Sequence, residues 1–520
     1  MRISLLALAA VAAFFPVSCK PSNASTADSV KDVLLYGRGK DSITLDPAAA
    51  SDGESTKVMD NLFETLVDFS EDPKHPAELI PCLATSWEES QDRLAWTFHL
   101  RPNVSFHDGT PFDAEAAKFS LDRLVFGGEW GPQTAPYRGN FVDVKKLEVV
   151  DSKTLMIHLK RPSVVLLRNL AMFCASIVSP TAVKKEGRRF GNRPVGTGPY
   201  RLHSWKKDVR VTLTRNEKWW GGFQPKLKTI VFLQIRDWPS RRVQLEAGEI
   251  HMVDNVVFQD IENLKKARGV EVQVRDGMNV CYITLNNEKP PFDRPEVRKA
   301  VAMAVDRARI VDRGYFGFAK AAFDLIPPTI PAHSENVAPK LDLSLAKSLL
   351  TKAGIKPGTV VELRVMNNPR PYLMEPDKVA EILRDQLAQI GLVVRIKKLD
   401  WAAYLKGLQQ GEHQMALIGW TTDNGDPDNF YGPLLSGDLV GGTNYSRMRN
   451  ASFDVLLRQA RGISDSVARR AEYQKIQKIL REQCPLVPLV YTQIASAYRS
   501  DVHGFVRHPI KIRLAPVFRK

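Results

Sequence analysis

The stretch VVELRVMNNPRPYLMEPDKVAEILRDQLAQIG, residues 360–391, carries the pattern that decides the fold. Its first seven residues are rich in β-branched side chains and predict a strand, Val360–Met366. Apolar residues then recur at the spacing of one helix face: Val379, Ile382, Leu383, Leu387 and Ile390. Gly391 is a typical helix terminator, so the stretch predicts one strand followed by one amphipathic helix.

The same alternation continues downstream of Gly391. Leu392–Leu399 predicts a second strand, residues 401–411 a second helix, and Met415–Trp420 a third strand. Strands and helices that alternate with short connections imply a parallel sheet with right-handed crossovers. Ligands of such sheets lie outside the carboxyl ends of the strands. Arg370 and Asp423 both fall just past strand ends, so we expect their opposite charges at one rim.

Arg370 and Asp423 together have the chemistry to hold a small zwitterion by both ends. An arginine fork meets a carboxylate with two parallel hydrogen bonds, and a carboxylate suits a primary ammonium. A site that binds both charged ends at a set separation selects peptides by backbone length and does not constrain their side chains. Taken singly, each residue has an ordinary reading, as a surface arginine and as an Asx-turn aspartate.

The other elements favour two lobes of different character. Further helices are predicted at residues 344–353, with Asp342 or Ser344 as N-cap, and near residues 453–460 and 467–483. The N-terminal half has an α+β pattern. It alternates short strands at 95–100, 154–159, 209–214 and 229–234 with single helices at 56–67 and 113–126. A boundary is expected near residues 277–280.

The N-terminus has the features of an export signal. Arg2 precedes an apolar run, Ile3–Phe15, that is shorter than the roughly 20 residues of a spanning helix. We predict a signal peptide at residues 1–18, lipidation of Cys19, and a flexible, lipid-anchored tether at 19–32. The lipidation prediction rests on a resemblance to the lipobox of bacterial lipoproteins, and simple cleavage is the alternative. The mature protein is then extracytoplasmic, in the periplasm or at the cell surface.

Composition excludes several classes of partner. The net charge of +15 comes from scattered short clusters, which favours a solvated surface. Nucleic acid is not an expected partner of an exported chain without an aromatic-and-basic motif.

Four cysteines remain besides Cys19, and they allow either disulfides, in three pairings, or buried free thiols: Cys82, Cys174, Cys281 and Cys484.

No catalytic or metal motif is found in the sequence. It contains no His-Glu-x-x-His, no Gly-x-Ser-x-Gly and no Cys-x-x-Cys pattern. The aspartates of the Asp423 loop miss the glycine and the acidic residue that an EF-hand needs at its sixth and twelfth positions. They are expected to shape a turn and to cap the next helix. His251 beside Met252 is a weak metal or haem candidate. We therefore predict no enzyme, no cofactor and no metal site.

Several segments, in order along nearly all of the mature chain, resemble one family. They are TFHLRPNVSFHDGTPFDAEAAKFSLDR at 97–123, GTGPY at 196–200, NEKWWGG at 216–222, VRKAVAMAVDRARI at 297–310 and IPP at 326–328. The family is that of the dipeptide, oligopeptide and nickel-binding receptors of ABC importers, known as solute-binding protein family 5. GWTTDNGDPDNF at 419–430 and Arg370-Pro371-Tyr372 are most similar to its dipeptide-binding branch.

The resemblance implies an α/β fold of the two-lobe, type II periplasmic-binding-protein kind. Lobe I would comprise residues 33–276 and 492–520, with an extra α+β subdomain at about 60–185, and lobe II residues 277–491. The C-terminal segment would return to lobe I. Implied partners are a short peptide and a permease in the cytoplasmic membrane, and the protein is expected to be a monomer.

The resemblance also implies the roles of single residues. Asp423 corresponds to the residue that pairs with the peptide ammonium, and Arg370 to the one that pairs with its carboxylate. Trp420, Thr422 and Tyr372 adjoin these two. Trp420 could either stack on a ligand side chain or end the strand in the core.

Gly37 and Gly39 in the first strand are expected to let a peptide backbone approach, a plain bulge being the alternative.

The sequence departs from the dipeptide branch beside the ligand, since Thr422 replaces a glycine and Leu373-Met374 replaces Asn-Pro.

The leading hypothesis is an extracytoplasmic receptor that captures a di- or short peptide between its lobes for uptake. A haem, nickel-chelate, glutathione or longer oligopeptide binder of the same fold is the alternative. An exported hydrolase and a purely structural surface protein are the hypotheses from other classes. A hydrolase would need a nucleophile and a base, and neither can be identified in the sequence. A purely structural protein would give no function to the opposite charges of Arg370 and Asp423.

Overall fold

A computed structural model of the chain describes residues 31–520. The predicted signal peptide, Cys19 and nearly all of the tether lie outside these residues. Up to residue 276 the elements are, in order, β1 Val33–Arg38, α1 Gly53–Met59, β2 Val67–Phe69, β3 Leu79–Pro81, β4 Ala84–Glu89, β5 Ala95–Leu100, α2 Ala114–Val125, β6 Val144–Asp151, β7 Thr154–Leu159, α3 Val165–Leu170, α4 Pro180–Glu186, β8 Tyr200–Lys206, β9 Arg210–Arg215, β10 Thr229–Gln234, α5 Trp238–Ala247, β11 Met252–Asp254, α6 Ile261–Lys266 and β12 Val270–Asp276.

The remaining elements begin beyond Gly277. They are β13 Asn279–Leu285, α7 Pro295–Ala304, α8 Arg307–Tyr315, β14 Ala319–Ala321, α9 Leu343–Lys352, β15 Thr359–Met366, α10 Pro376–Ala388, β16 Leu392–Leu399, α11 Trp401–Gln409, β17 Met415–Thr421, α12 Asp428–Leu435, α13 Ala451–Arg461, α14 Ser466–Gln483, β18 Leu486–Arg499, β19 Val502–His503 and β20 Phe518–Arg519.

The strand–helix–strand–helix–strand prediction is confirmed. β15 is parallel to β16 on one side and to β17 on the other. β16 has the predicted bounds, and α10 buries the predicted apolar face against the sheet. Of the two N-cap candidates for α9, Asp342 is the cap, since its side chain accepts from the Leu345 N–H. The carboxyl ends of β15 and β17 therefore lie at one edge, as the topology required.

One sheet runs through the whole molecule and joins its two parts. Its strand order is β16-β15-β17-β13-β18-β11-β1-β10-β9-β8, with β12 and β14 also paired to β18. The first residues of β18 pair with β13, and its last residues pair with β11 and β12. At the crossing point the Thr492 N–H donates to Asn279 Oδ1 over 2.9 Å, and the Gly277 N–H donates to the Thr492 carbonyl over 3.2 Å. The two connections thus lie side by side.

A second, antiparallel sheet has the order β4-β5-β7-β6 and packs beneath α2. One hydrophobic core draws all of its buried members from residues 48–177, which include this sheet and helix. The predicted α+β subdomain falls in this region, and its exact limits, like those of the lobes, remain a prediction. We keep the names lobe I and lobe II with the limits given above.

The helix predicted at residues 56–67 is wrong in extent. α1 ends at Met59, and the next element is β2. The carbonyls of Asn61 and Leu62 accept hydrogen bonds of 3.0 Å from the N–H groups of Tyr200 and Gly198, in the GTGPY segment. Hydrogen bonds from the GTGPY segment therefore occupy backbone carbonyls that a longer helix would have used for its own hydrogen bonds.

The C-terminal segment packs against the start of the chain. Asn61 Nδ2 donates to the Ile512 carbonyl over 2.9 Å, and Arg519 Nη1 donates to the Val33 carbonyl over 3.0 Å. The four cysteines beyond Cys19 are all buried and unpaired, which answers the choice between disulfides and free thiols. In residues 31–520 we find no helix with the length and apolar character needed to cross a membrane.

Candidate functional site: a cavity between the lobes

The loop that follows β17 owes its shape to its own side chains. Thr422 Oγ1 accepts from the Gly425 N–H over 3.0 Å and from the Asn424 N–H over 3.3 Å. Asn424 Oδ1 then accepts from the Asp426 N–H over 3.0 Å. Gly425 has a positive φ of 63°, and a Cβ there would lie 2.9 Å from the Cβ of Ala77, so glycine is required. Thr422 is thus buried and serves the loop.

Two carboxylates in this region hold arginines. Asp426 accepts two hydrogen bonds of 2.8 Å from Arg469, and Arg168 of lobe I lies 3.3 Å away. Asp428 accepts from Arg461 Nε over 2.6 Å. Shaping of the turn is correct for Asp426, whose Oδ1 accepts from the Asp428 N–H. The capping prediction is correct for Asp426, because Asp428 is the first residue of α12 and its N–H is satisfied by this bond, and wrong for Asp428, whose carboxylate binds Arg461.

Asp423 differs from its neighbours because it has no cation. It makes no ion pair with any residue of the 31–520 range, and burial raises its pKa to about 7, opposed only by a hydrogen bond with the Tyr137 side chain. The backbone N–H of Asp423 donates to Asn429 Oδ1 over 3.2 Å. The same oxygen accepts from Trp420 Nε1 over 3.3 Å. A desolvated carboxylate without a cation is a group prepared for a cationic ligand.

Asp423 and Trp420 line a cavity of about 430 Å³ between the lobes. Lobe I contributes Ser51, Pro136, Tyr137, Gly139, Asn140, Val142, Asp143, Ser163, Val165 and Asn169. Lobe II contributes Trp420, Asp423, Asn424, Asp428, Asn429, Gly432, Pro433, Leu439, Thr443 and Arg461. The volume is within the range of small-molecule sites, roughly 300–1,000 Å³. The lining combines an aromatic and apolar surface with a few polar groups.

Direct contacts join the lobes beside the cavity. Asn424 Nδ2 donates to Asn169 Oδ1 over 2.8 Å. Arg168 Nη1 donates to the carbonyl of Ala77 over 2.7 Å within lobe I and to that of Gly425 over 3.3 Å across the cleft. The loop that carries Asp423 is therefore held from both lobes at once.

Arg370 is not among the residues that line this cavity. Its guanidinium carbon lies 3.8 Å from the ring centroid of Trp401, and burial lowers its pKa. Its Nε is buried without a hydrogen-bond partner. The structure therefore brings Arg370 and Asp423 to one edge of the sheet but not into one pocket.

Tyr372 and the two glycines support packing. Tyr372 is buried, and its ring lies against Gly419, where a Cβ would approach to 2.4 Å. A Cβ on Gly37 would lie 2.6 Å from Ile250 Cδ1, and one on Gly39 would lie 3.2 Å from an Arg241 nitrogen. A side chain at Gly37 or Gly39 would thus crowd Ile250 or Arg241, and the approach of a peptide backbone at these two glycines stays a prediction.

The residues that sequence reasoning missed are those of lobe I. Tyr137 and Asn140 lie between α2 and β6, at a short 3-10 helix, Arg138–Phe141, for which the sequence contains no recognised motif. Nothing local indicates that they face residue 423, since the contact depends on how the lobes meet. Tyr137 also packs edge-on against Phe173, with ring centroids 5.1 Å apart.

His251, the weak metal or haem candidate of the sequence, has a structural contact. No group of three or more potential metal-binding side chains occurs within residues 31–520. His251 Nδ1 accepts from the Leu35 N–H over 2.9 Å, and burial lowers the His251 pKa to about 4. That histidine is a strand-to-strand contact far in sequence from every residue of the cavity lining.

The chain is similar to known proteins over most of its length. Its residues 78–441 match the family described as "Bacterial extracellular solute-binding proteins, family 5 Middle". It is 32% identical to the dipeptide-binding protein of Pseudomonas aeruginosa, covering 89% of this chain and 90% of that one. It is 31% identical to heme-binding protein A of Haemophilus influenzae, covering 98% and 97%.

A solved structure gives the same result for the fold. A periplasmic binding protein from Helicobacter pylori, in complex with the peptide STSA, superposes with a TM-score of 0.80 at 31% identity, over 94% of this chain and 98% of that one. The α/β periplasmic-binding-protein fold is thereby confirmed. The chain belongs to the bacterial extracellular solute-binding proteins of family 5.

Proposed function

We propose that this protein is the extracytoplasmic receptor of an ABC importer and that it captures di- or short peptides between its lobes. The observation that carries the proposal is Asp423, a desolvated carboxylate without a cation in a cavity of about 430 Å³. A peptide ammonium supplies the missing positive charge. Relatives that are called dipeptide-binding proteins support the same ligand class.

Arg370 is the proposed partner of the peptide carboxylate. It too lacks an opposite charge within the described chain, and its buried Nε has no acceptor. A ligand that used both residues would extend from the cavity toward the Arg370 turn. Binding would then add contacts from both lobes and favour the state in which they meet.

Haem is the alternative that a relative's name raises, and the cavity chemistry speaks against it. Haem iron takes His, Cys, Met or Tyr as its protein ligand. The lining contains no His, Cys or Met, and its one tyrosine, Tyr137, faces the Asp423 carboxylate. A bare nickel ion would likewise meet no imidazole or thiolate ligand in this lining.

Calorimetric titration with free dipeptides tests the proposal. We expect saturable binding with one site per chain, and mass spectrometry of the purified protein should find a carried short peptide. Haem or glutathione bound in place of dipeptides would overturn it. Gel filtration at the concentrations used should show the proposed monomer.

The proposed location is the periplasm or the cell surface, with an acylated Cys19 as anchor. Cell-made protein should then partition with detergent. The Cys19→Ala variant should remain unprocessed or become detergent-independent. Unchanged partitioning of that variant would remove the anchor and leave the ligand proposal standing.

A further inference from the structure

We propose that Trp401 is a positioning residue, which holds the Arg370 guanidinium in the orientation that receives the ligand carboxylate. The inference rests on the proposed function, because it takes Arg370 as the carboxylate partner. It assigns a role to a residue at the start of α11 that no motif of the sequence indicated.

The backbone around Arg370 is held from several sides. The Arg370 N–H and carbonyl both pair with Leu373, at 3.0 and 2.8 Å. The Pro371 carbonyl accepts from Thr492 Oγ1 over 3.1 Å, and the Tyr372 carbonyl accepts from the Tyr315 hydroxyl over 3.0 Å. None of these bonds involves the guanidinium, so they fix where the side chain begins and not where it ends.

Trp401 provides the contact that fixes the position of the Arg370 guanidinium. The guanidinium carbon stands 3.8 Å from the centre of its ring, which is the geometry of a cation–π pair. The indole is in turn stacked on Tyr404, with centroids 5.9 Å apart and planes 18° from parallel. Tyr404 is fully buried, and its hydroxyl donates to the Leu417 carbonyl over 2.9 Å. The stack therefore ends on the core of lobe II.

Stacking leaves the hydrogen-bonding edge of Arg370 free. A guanidinium carries its five N–H groups in its own plane, so a ring against one face blocks none of them. The Nε is buried and has no acceptor, and Arg370 makes no ion pair in the described chain. An unpaired donor in a desolvated place is costly unless a ligand completes it. A carboxylate in the guanidinium plane meets that need with two parallel bonds.

The experiment compares a free dipeptide with its C-terminal amide, in the parent and in Trp401→Leu. A cation–π pair is worth about 0.5–2 kcal/mol, which is about 2- to 30-fold in affinity. We expect Trp401→Leu to weaken the free peptide by that factor and to change the amidated peptide by less than about twofold. Trp401→Tyr should restore most of the loss, since it keeps an aromatic face.

Trp238→Leu is the matched control, because Trp238 is also a partly buried tryptophan that packs on the same core. It should leave the affinity for both peptides unchanged. Equal losses for free and amidated peptide in Trp401→Leu would overturn the inference and assign Trp401 a general structural role. If neither peptide binds the parent protein, the proposed function itself fails, and the two failures are thus distinguishable.

Discussion

The state of Asp423 predicts that ligand affinity depends on pH. Burial raises the Asp423 pKa to about 7 in the free protein. Only the ionised form pairs with an ammonium, so binding of a cationic terminus must remove the proton. As pH falls through 7 the carboxyl is protonated in advance and affinity is lost. The sign is thus tighter binding at pH 7 than at pH 5.

The size of the effect follows from the ionised fraction. With a pKa of about 7, half of Asp423 is ionised at pH 7 and about 1 in 100 at pH 5, which gives at most about a 50-fold change in affinity. The Asp423 side chain keeps some exposed surface although the surrounding protein raises its pKa, so we expect about 10- to 50-fold. The peptide ammonium itself titrates at a pKa of about 8, which sets the upper limit of the useful window.

Titration calorimetry from pH 5 to pH 7 measures this dependence, and buffers of different ionisation enthalpy report the proton released. Asp423→Asn is the control, because it keeps the shape and removes the titration. It should bind weakly and lose the part of the pH dependence that Asp423 contributes. Burial also raises the Asp428 pKa, so the difference between parent and variant isolates Asp423. A parent whose affinity is constant from pH 5 to 7 would refute the reasoning.

Four further substitutions test contacts described above. Arg370→Ala should cost about 2–5 kcal/mol of binding free energy for a free dipeptide and almost nothing for its C-terminal amide, as calorimetry would show. Asp426→Ala should lower the free energy of unfolding by about 3–5 kcal/mol in urea denaturation, because it leaves the partly buried Arg469 guanidinium without its carboxylate partner. Arg168→Ala should instead spare folding, since Asp426 keeps Arg469, and should weaken ligand binding by about 3- to 10-fold. Gly425→Ala should destabilise by about 1–2 kcal/mol or more in the same urea assay, because a side chain disfavours its positive φ.

The parts of the fold that could be predicted are those whose information is local. β16 has the predicted bounds because its apolar residues and the flanking helices repeat at regular periods. The helix after Gly53 was predicted too far, because its end depends on bonds from Gly198 and Tyr200, which no local pattern shows.

The site divides in the same way. That Arg370 and Asp423 share a sheet edge follows from topology, and the sequence was sufficient to predict it. Arg370 contacts Trp401 of α11 and does not line the cavity. This placement depends on side-chain packing, which the sequence pattern does not show. Tyr137 could not be foreseen at all, because its contact with Asp423 exists only once the two lobes meet.

Because β18 is one unbroken strand shared by both lobes, the relative motion of the lobes has few degrees of freedom. Its ladder forbids sliding along the strand without breaking hydrogen bonds, and the neighbouring connection at Asn279 forbids a wide swivel. We therefore expect the lobes to move mainly by bending near Thr492, where the two connections lie side by side. The conformation is then described by nearly one angle. One distance between two labels would report it, and any partner that touches both lobes would sense the same single coordinate.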